Sequence, residues 1–278
     1  MLGAMLDELG EVGSRYDLRA GRSPDAPETT RFEGTEAIYG WVHSYETGVT
    51  ADGPGVRVVV FLSGCLLRCR YCHNPDTWHL KDGTKIELSH AIRRLRDFAP
   101  ALRAMGGGLT ISGGEPMVQI GFTRGLFAAA KQLGLHTALD TSGFLGHRAD
   151  DAYLKHVDLV LLDIKSGDPD TYRNVTGVDL EPTLRFAERL NAMGKPVWVR
   201  FVLVPGLTDD PANIQKVAEF VAPMANVEWV EVLPLHQMGV FKWQSLGLDY
   251  TLADTPPPSA EQVSAALDIF RNAGCRAR

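Results

Sequence analysis

The sequence predicts an α/β fold of parallel βα units, wrapped into a partial TIM-like (β/α)6 barrel. Three observations predict it. Six short β-branched or apolar runs alternate with six longer helical patterns, the signature of parallel βα units. Runs such as LVLLDI are apolar throughout, as strands covered on both faces are. Nearly every run also ends in polar or glycine-rich residues: Ser63-Gly64-Cys65, Ser112-Gly113-Gly114-Glu115, Asp140-Thr141-Ser142-Gly143, Asp163-Ile164-Lys165, Pro205-Gly206 and Pro234-Leu235-His236. Ligands bind at this edge of α/β folds. An open doubly wound sheet fits the alternation too. Chemistry at all six ends favours a curved wall, and six repeats are too few for a full eightfold barrel.

In chain order, strands are expected at Val56–Leu62, Gly108–Ser112, His136–Thr141, Leu159–Lys165, Val197–Val204 and Val227–Leu233. Helices are expected near Ser89–Met105, Val118–Leu133, Asp151–His156, Pro182–Met193, Asp210–Met224 and Ser259–Ala273. Gly134 and Gly194 stand just past two helix ends, where a left-handed cap is wanted. Ser259 before Glu261 and Gln262 marks a helix start. Residues 1–36 differ. The run GRSPDAPETTRFEGTE lacks apolar periodicity, so a disordered extension is expected ahead of a core domain over residues 37–278. A short helix is expected at its start, with Leu2, Met5, Leu6 and Leu9 on one face.

The 278 residues are 45% hydrophobic and 22% charged, ordinary values for a globular chain. Net charge is 28 − 34 = −6, which argues against a protein that grips phosphate backbones; no nucleic acid partner is expected. No run approaches the roughly 18 apolar residues of a membrane span. The start, MLGAMLDELGEVG, has no basic n-region, so it is a poor secretory signal and a cytoplasmic protein is expected.

Of four cysteines, Cys65, Cys69 and Cys72 fall within eight residues and Cys275 lies far away. The segment is SGCLLRCRYCHNPDTW, spacing C-x3-C-x2-C. Thiolates are soft ligands that suit zinc or iron–sulfur clusters. Structural zinc sites usually come as two ligand pairs. His73 could complete a set of four, although its place next to Cys72 makes a shared metal awkward. A [4Fe–4S] cluster normally takes four thiolates, so three leave one iron open for a substrate.

C-x3-C-x2-C with an aromatic before the last Cys resembles the motif of radical S-adenosylmethionine (SAM) enzymes. The runs TADGPGVRVVVFLSGCLLRCRYCHNPDTW, SGGEP, LDTSGF, LLDIK, VPGLTDD and LPLH are similar to the activating enzymes of glycyl radical enzymes. The likeness covers about Gly40 to the C-terminus in order and spacing. No cysteine lies between Cys72 and Cys275, so the ferredoxin-like insert of many such activases is absent. Activases of anaerobic ribonucleotide reductase are considerably shorter. Both points favour the branch that acts on pyruvate formate-lyase.

The resemblance implies a partial barrel of the radical SAM type, with Cys65, Cys69 and Cys72 holding the cluster. The open iron would chelate SAM, and a flavodoxin or ferredoxin would reduce the cluster. The resulting 5′-deoxyadenosyl radical would take a hydrogen from a glycine of pyruvate formate-lyase, the enzyme acting as a monomer. It sets Gly114 against the SAM amino group, with Glu115 either beside it or one shell further out. Lys165 would face the SAM carboxylate, within the segment Asp163-Ile164-Lys165. Alone, that pair could simply cap the sheet. Tyr71 would pack near the adenine, and His73 would hydrogen-bond around the cluster. His236 would stack on or hydrogen-bond to SAM. A monovalent cation would sit on Asp140, Thr141, the Leu161 carbonyl and Asp163, although DTSG alone is an ordinary turn. Arg200 faces opposite to Val199 and Phe201 in a buried strand, where a charge is costly unless paired. Its partner is either a carboxylate inside the barrel or a ligand. Asp52-Gly53-Pro54-Gly55 reads as a turn feeding the first strand, and the family also places this loop near the bound peptide. The rival readings are an activase of another glycyl radical enzyme, a radical SAM enzyme acting on a small molecule or RNA base, and a zinc-stabilised binding protein without turnover.

Overall fold

The computed structural model describes residues 37–278. The expected extension and its short helix lie outside the described residues. Eight strands form one sheet, ordered β3-β1-β2-β4-β5-β6-β7-β8. They are β1 Tyr39–Val49, β2 Arg57–Leu62, β3 Thr84–Glu87, β4 Gly108–Gly113, β5 His136–Thr141, β6 Leu159–Asp163, β7 Val197–Leu203 and β8 Val227–Pro234. Strands β2 and β4 to β8 run parallel in chain order, and these are the six expected from the sequence. Strand β1 pairs antiparallel with β2 and with β3. Neither was legible. Strand β1, YGWVHSYETGV, mixes polar and small residues with bulges in its register, and β3 is four residues with one buried side chain.

The helices are α1 Leu88–Ala104, α2 Ile120–Gln132, α3 Asp151–Leu154, α4 Pro169–Thr176, α5 Glu181–Ala192, α6 Pro211–Val221, α7 Val240–Ser245 and α8 Ala260–Asn272. Six match the expected helices within a few residues; α4 and α7 are additional. Ser259 does cap α8, in a reciprocal capping box with Gln262.

Alternate residues of each parallel strand face opposite sides. Val60, Ile111, Leu139, Leu162, Val199 and Val230 form one core with the buried faces of α1, α2, α5, α6 and α8. The other set, from Arg57 through Thr110, Ala138 and Leu161 to Trp198, carries the polar and aromatic groups. With these helices on one face, the sheet is a curved wall around an interior and not a doubly wound layer. Arg57 is fully buried on that inner face. It donates to the Thr110 hydroxyl (3.0 Å), the Pro54 carbonyl (3.1 Å) and the Leu109 carbonyl (2.6 Å). Thr110 donates in turn to the Asp52 carbonyl (2.6 Å). These bonds fold the β1–β2 loop inward across the barrel.

Candidate functional site

The cysteine loop leaves β2 and is held from three sides. The Gly64 and Cys65 amides donate to the Thr77 and Trp78 carbonyls (2.7 and 3.0 Å). The Arg68 and Arg70 amides donate to Thr176 and Val175 at the end of α4 (2.8 and 3.0 Å). The Arg68 guanidinium donates to the Cys65 carbonyl (2.8 Å). The free thiols of Cys65, Cys69 and Cys72 line one cleft with Leu67, Tyr71, His73, Asn74, Thr77, Trp78, Ser112, Gly113, Gly114, Asp140, Thr141, Ser142, Asp163 and Lys165. Burial pushes all three thiols up, Cys69 to about 12. Each must lose its proton to bind a metal. Among the described residues no three His, Cys, Asp or Glu side chains converge on a single ion. A cluster asks for something else, since its thiolates sit on different irons.

In the same cleft, β4 ends at Gly113 and is followed by Gly114. A Cβ on Gly114 would lie 2.5 Å from the Gly64 carbonyl oxygen and 3.0 Å from that of Thr77. Only glycine lets these two loops touch. Gly114→Ala is expected to cost about 1–3 kcal/mol and to lower Tm by roughly 2–10 °C. Calorimetry on the apoprotein checks it; an unchanged Tm would show that the loops separate freely.

Glu115 is not on the cleft wall. Its buried carboxylate accepts from the Thr141 hydroxyl (2.8 Å), the Ser142 hydroxyl (2.7 Å) and amide (3.1 Å), and the Met117 amide (3.2 Å). It ties the β4 and β5 ends together, so it sits behind Gly114. This also commits the Thr141 hydroxyl to Glu115 and leaves Asp140 and Asp163 as the anionic pair of the expected cation site. Both already have partners. Ser112 donates to Asp140 (2.6 Å), and the Lys165 ammonium donates to Asp163 (2.8 Å). Burial works against the Lys165 charge, and Asp163 holds the ammonium charged. Ile164 turns its side chain into the outer core, and Leu161 lies in the inner apolar cluster, so only their backbones are available to a ligand. His236 is exposed and stacks on His73 with ring centroids 3.9 Å apart. Burial and this neighbour push His73 down to about 4, so it is neutral.

Arg200 lies below the cleft. Its guanidinium meets Asp52 (2.8 Å), Asp140 (3.3 Å), Glu231 (3.4 Å) and the Ala51 carbonyl (2.8 Å). The carboxylate alternative for Arg200 is therefore the one the structure has. Burial pushes Asp140 up to about 6, against the pull of Arg200. Sequence reasoning missed Asn74, Thr77 and Trp78, although they directly follow the cysteines. It also missed Trp243, whose indole donates to the Cys72 carbonyl (2.8 Å). Cys275 lies outside the cleft, packed at the outer core near Ala218.

The Radical SAM superfamily model matches residues 59–219. The pyruvate formate-lyase-activating enzyme of Staphylococcus aureus (strain USA300) is 44% identical over 236 residues, covering 82% of this chain and 94% of that one. The chain belongs to the radical SAM superfamily, in the family of pyruvate formate-lyase-activating enzymes. A solved domain of such an enzyme from Bacteroides vulgatus ATCC 8482 is 26% identical, with TM-score 0.52 over 62% of this chain and 98% of that one. Streptococcus suis SuiB, solved with its precursor peptide SuiA, has TM-score 0.60 at 18% identity, over 79% of this chain and 47% of that one. This last likeness is one of fold.

Like its superfamily, the chain uses a [4Fe–4S] cluster and S-adenosylmethionine. The residues present fit both. Three free thiols line one cleft. A buried Tyr71 hydroxyl has no hydrogen-bond partner. A held ammonium and close-packed glycine backbone line the same cleft. No described helix is long and apolar enough to cross a membrane.

Proposed function

We propose that this chain activates pyruvate formate-lyase by generating a glycyl radical on it. The observation that carries the reading is the cleft itself: three thiols lining one cleft together with Gly114 and Lys165, in a chain of this family. Cys65, Cys69 and Cys72 would hold the cluster by three irons and leave the fourth for SAM. When bound, cluster and SAM supply a 5′-deoxyadenosyl radical that takes a hydrogen atom from the partner's glycine. The protein's share is orientation and exclusion of water. The Gly114 backbone would receive the SAM amino group, with Glu115 fixing that backbone from behind. Lys165 would attract the carboxylate; its bond to Asp163 supports a role shared between ligand and sheet end. Tyr71 would pack along the adenine, and His73, steadied by His236, would close that side. Asp140 and Asp163, with the Thr141 and Leu161 carbonyls, remain the oxygen set for a monovalent cation. A flavodoxin or ferredoxin as reductant, a monomeric state and a cytoplasmic setting complete the proposal.

The test is anaerobic incubation of the reconstituted protein with SAM, a reductant and pyruvate formate-lyase, watched by EPR. The expected result is a glycyl radical doublet that requires all four components. Cleavage of SAM with no radical on pyruvate formate-lyase would favour a different glycyl radical enzyme as partner. A colourless protein holding one zinc would remove the reading altogether.

A further inference from the structure

Residues 236–250 form a shelf clamped onto the cysteine loop. Trp243 is buried; besides its bond to Cys72, it meets Trp78 edge-on at 5.1 Å and Tyr250 at 5.2 Å. Lys242 donates to the Asn74 side-chain carbonyl (2.8 Å) and pairs with Asp76 (3.1 Å). A Cβ on Gly239 would lie 2.9 Å from the His73 Cα, so the backbones touch there. The shelf's outer side is different. Met238 is 76% exposed, Phe241 64%, Leu246 45% and Leu248 37%. These are four of the eight large apolar residues exposed among the described residues, gathered within eleven positions. A six-residue helix gains nothing for its own folding from an outward Phe. Exposed apolar clusters of this kind mark interaction sites.

We propose that this shelf docks the body of the protein substrate whose glycine segment enters the cleft. The inference rests on the functional reading above. Three observations favour that occupant. The shelf is continuous with the cleft: His73 lines the cleft, His236 stacks on His73, and Met238 follows two residues later. A glycine segment in a narrow cleft also offers little area, whereas stable protein–protein contacts bury about 800 Å² on each partner. The surface around the mouth must supply the rest. Finally, the apolar stretch of the shelf carries little free charge, the exposed Asp249 standing just beyond its last leucine. Lys242 is the one ionic residue between Met238 and Leu248, and it turns inward to Asp76. Redox encounters are small and steered by charge, whereas a Met- and Phe-rich surface resembles the core of a specific interface.

The test uses the reconstituted full chain carrying Met238→Gln with Phe241→Gln, and separately Leu246→Gln with Leu248→Gln. Dithionite is the reductant. The expected result is an unchanged Tm and unchanged SAM cleavage without protein substrate. KM for intact pyruvate formate-lyase rises by roughly tenfold or more, while radical transfer to a short peptide carrying the same glycine is unaffected. An unchanged KM in both variants overturns the proposal. So does a defect seen only when flavodoxin replaces dithionite, which would give the shelf to the reductant. A wild-type dimer that the substitutions dissolve would give it to a second copy. An equal rise in KM on deleting residues 1–36 would give it to that segment. Failure of the functional reading shows separately, as no radical on pyruvate formate-lyase with the unaltered protein.

Discussion

Replacing Cys65, Cys69 or Cys72 with Ala is expected to abolish both the brown iron–sulfur absorbance and SAM cleavage, while Cys275→Ala keeps both. The three thiols line the cleft, and each would be the sole protein ligand of one iron. No other thiol can substitute, since Cys275 is packed at the outer core. The apoprotein variants should nevertheless fold. A buried neutral thiol behaves as a small hydrophobe, and the loop is held by backbone bonds to Thr77, Trp78, Val175 and Thr176. Iron and sulfide analysis after reconstitution, with circular dichroism as the fold control, separates these effects. A full cluster in any of the three variants would break the ligand assignment, as would cluster loss in Cys275→Ala.

The second large effect is expected at Arg200. In Arg200→Met, Asp52, Asp140 and Glu231 lose their shared guanidinium inside the barrel. Breaking a buried ion network by removing one partner costs about 3–5 kcal/mol. The pH dependence has a definite sign. Asp140 already stands at about 6, above its value in an unfolded chain, and loss of Arg200 raises it further. A carboxyl whose folded value is raised penalises the native state when ionised. That penalty is full above the folded value and shrinks as pH falls through it. The Tm deficit relative to the unaltered protein should therefore be smaller at about pH 5 than at about pH 8. An equal deficit at both would mean the carboxylates find water, not burial. Arg200→Lys should fall between, since it keeps the charge and loses the planar fork.

The six parallel strands were legible because each is a short apolar run bounded by turn chemistry, and LVLLDI is the clearest. Strand β1 was not, because an antiparallel strand with polar and small residues carries no such run. Helix α4 is eight residues and α7 six, too short for a 3.6-residue period to show. The cysteine triad was legible from spacing alone. Pairings across the barrel were not. Arg200 could be placed on the inner face by alternation, yet its partner Asp52 lies in a loop that read as a plain turn. Glu115 could be assigned to the loop after β4, but its turn toward Thr141 and Ser142 depends on how the two strand ends meet. Trp243 belongs to no motif that the sequence singles out, and its bond to the Cys72 carbonyl follows from the packing of α7.

The bridge from Asp52 to Arg200 joins residues 148 apart in sequence, and this distance sets an order of events as the chain is made. At a synthesis rate of about 5–20 residues per second, Asp52 emerges roughly 7–30 s before Arg200 does. Through that interval the β1–β2 loop has no guanidinium to receive it. Glu231 arrives later still, so the interior is neutralised only when the last two parallel strands dock. Contacts this distant in sequence slow folding, because loop closure must precede them. The barrel is thus fastened late at its centre: a nascent chain can assemble α1, α2 and α5 on its outer face while the floor beneath the cleft is still open.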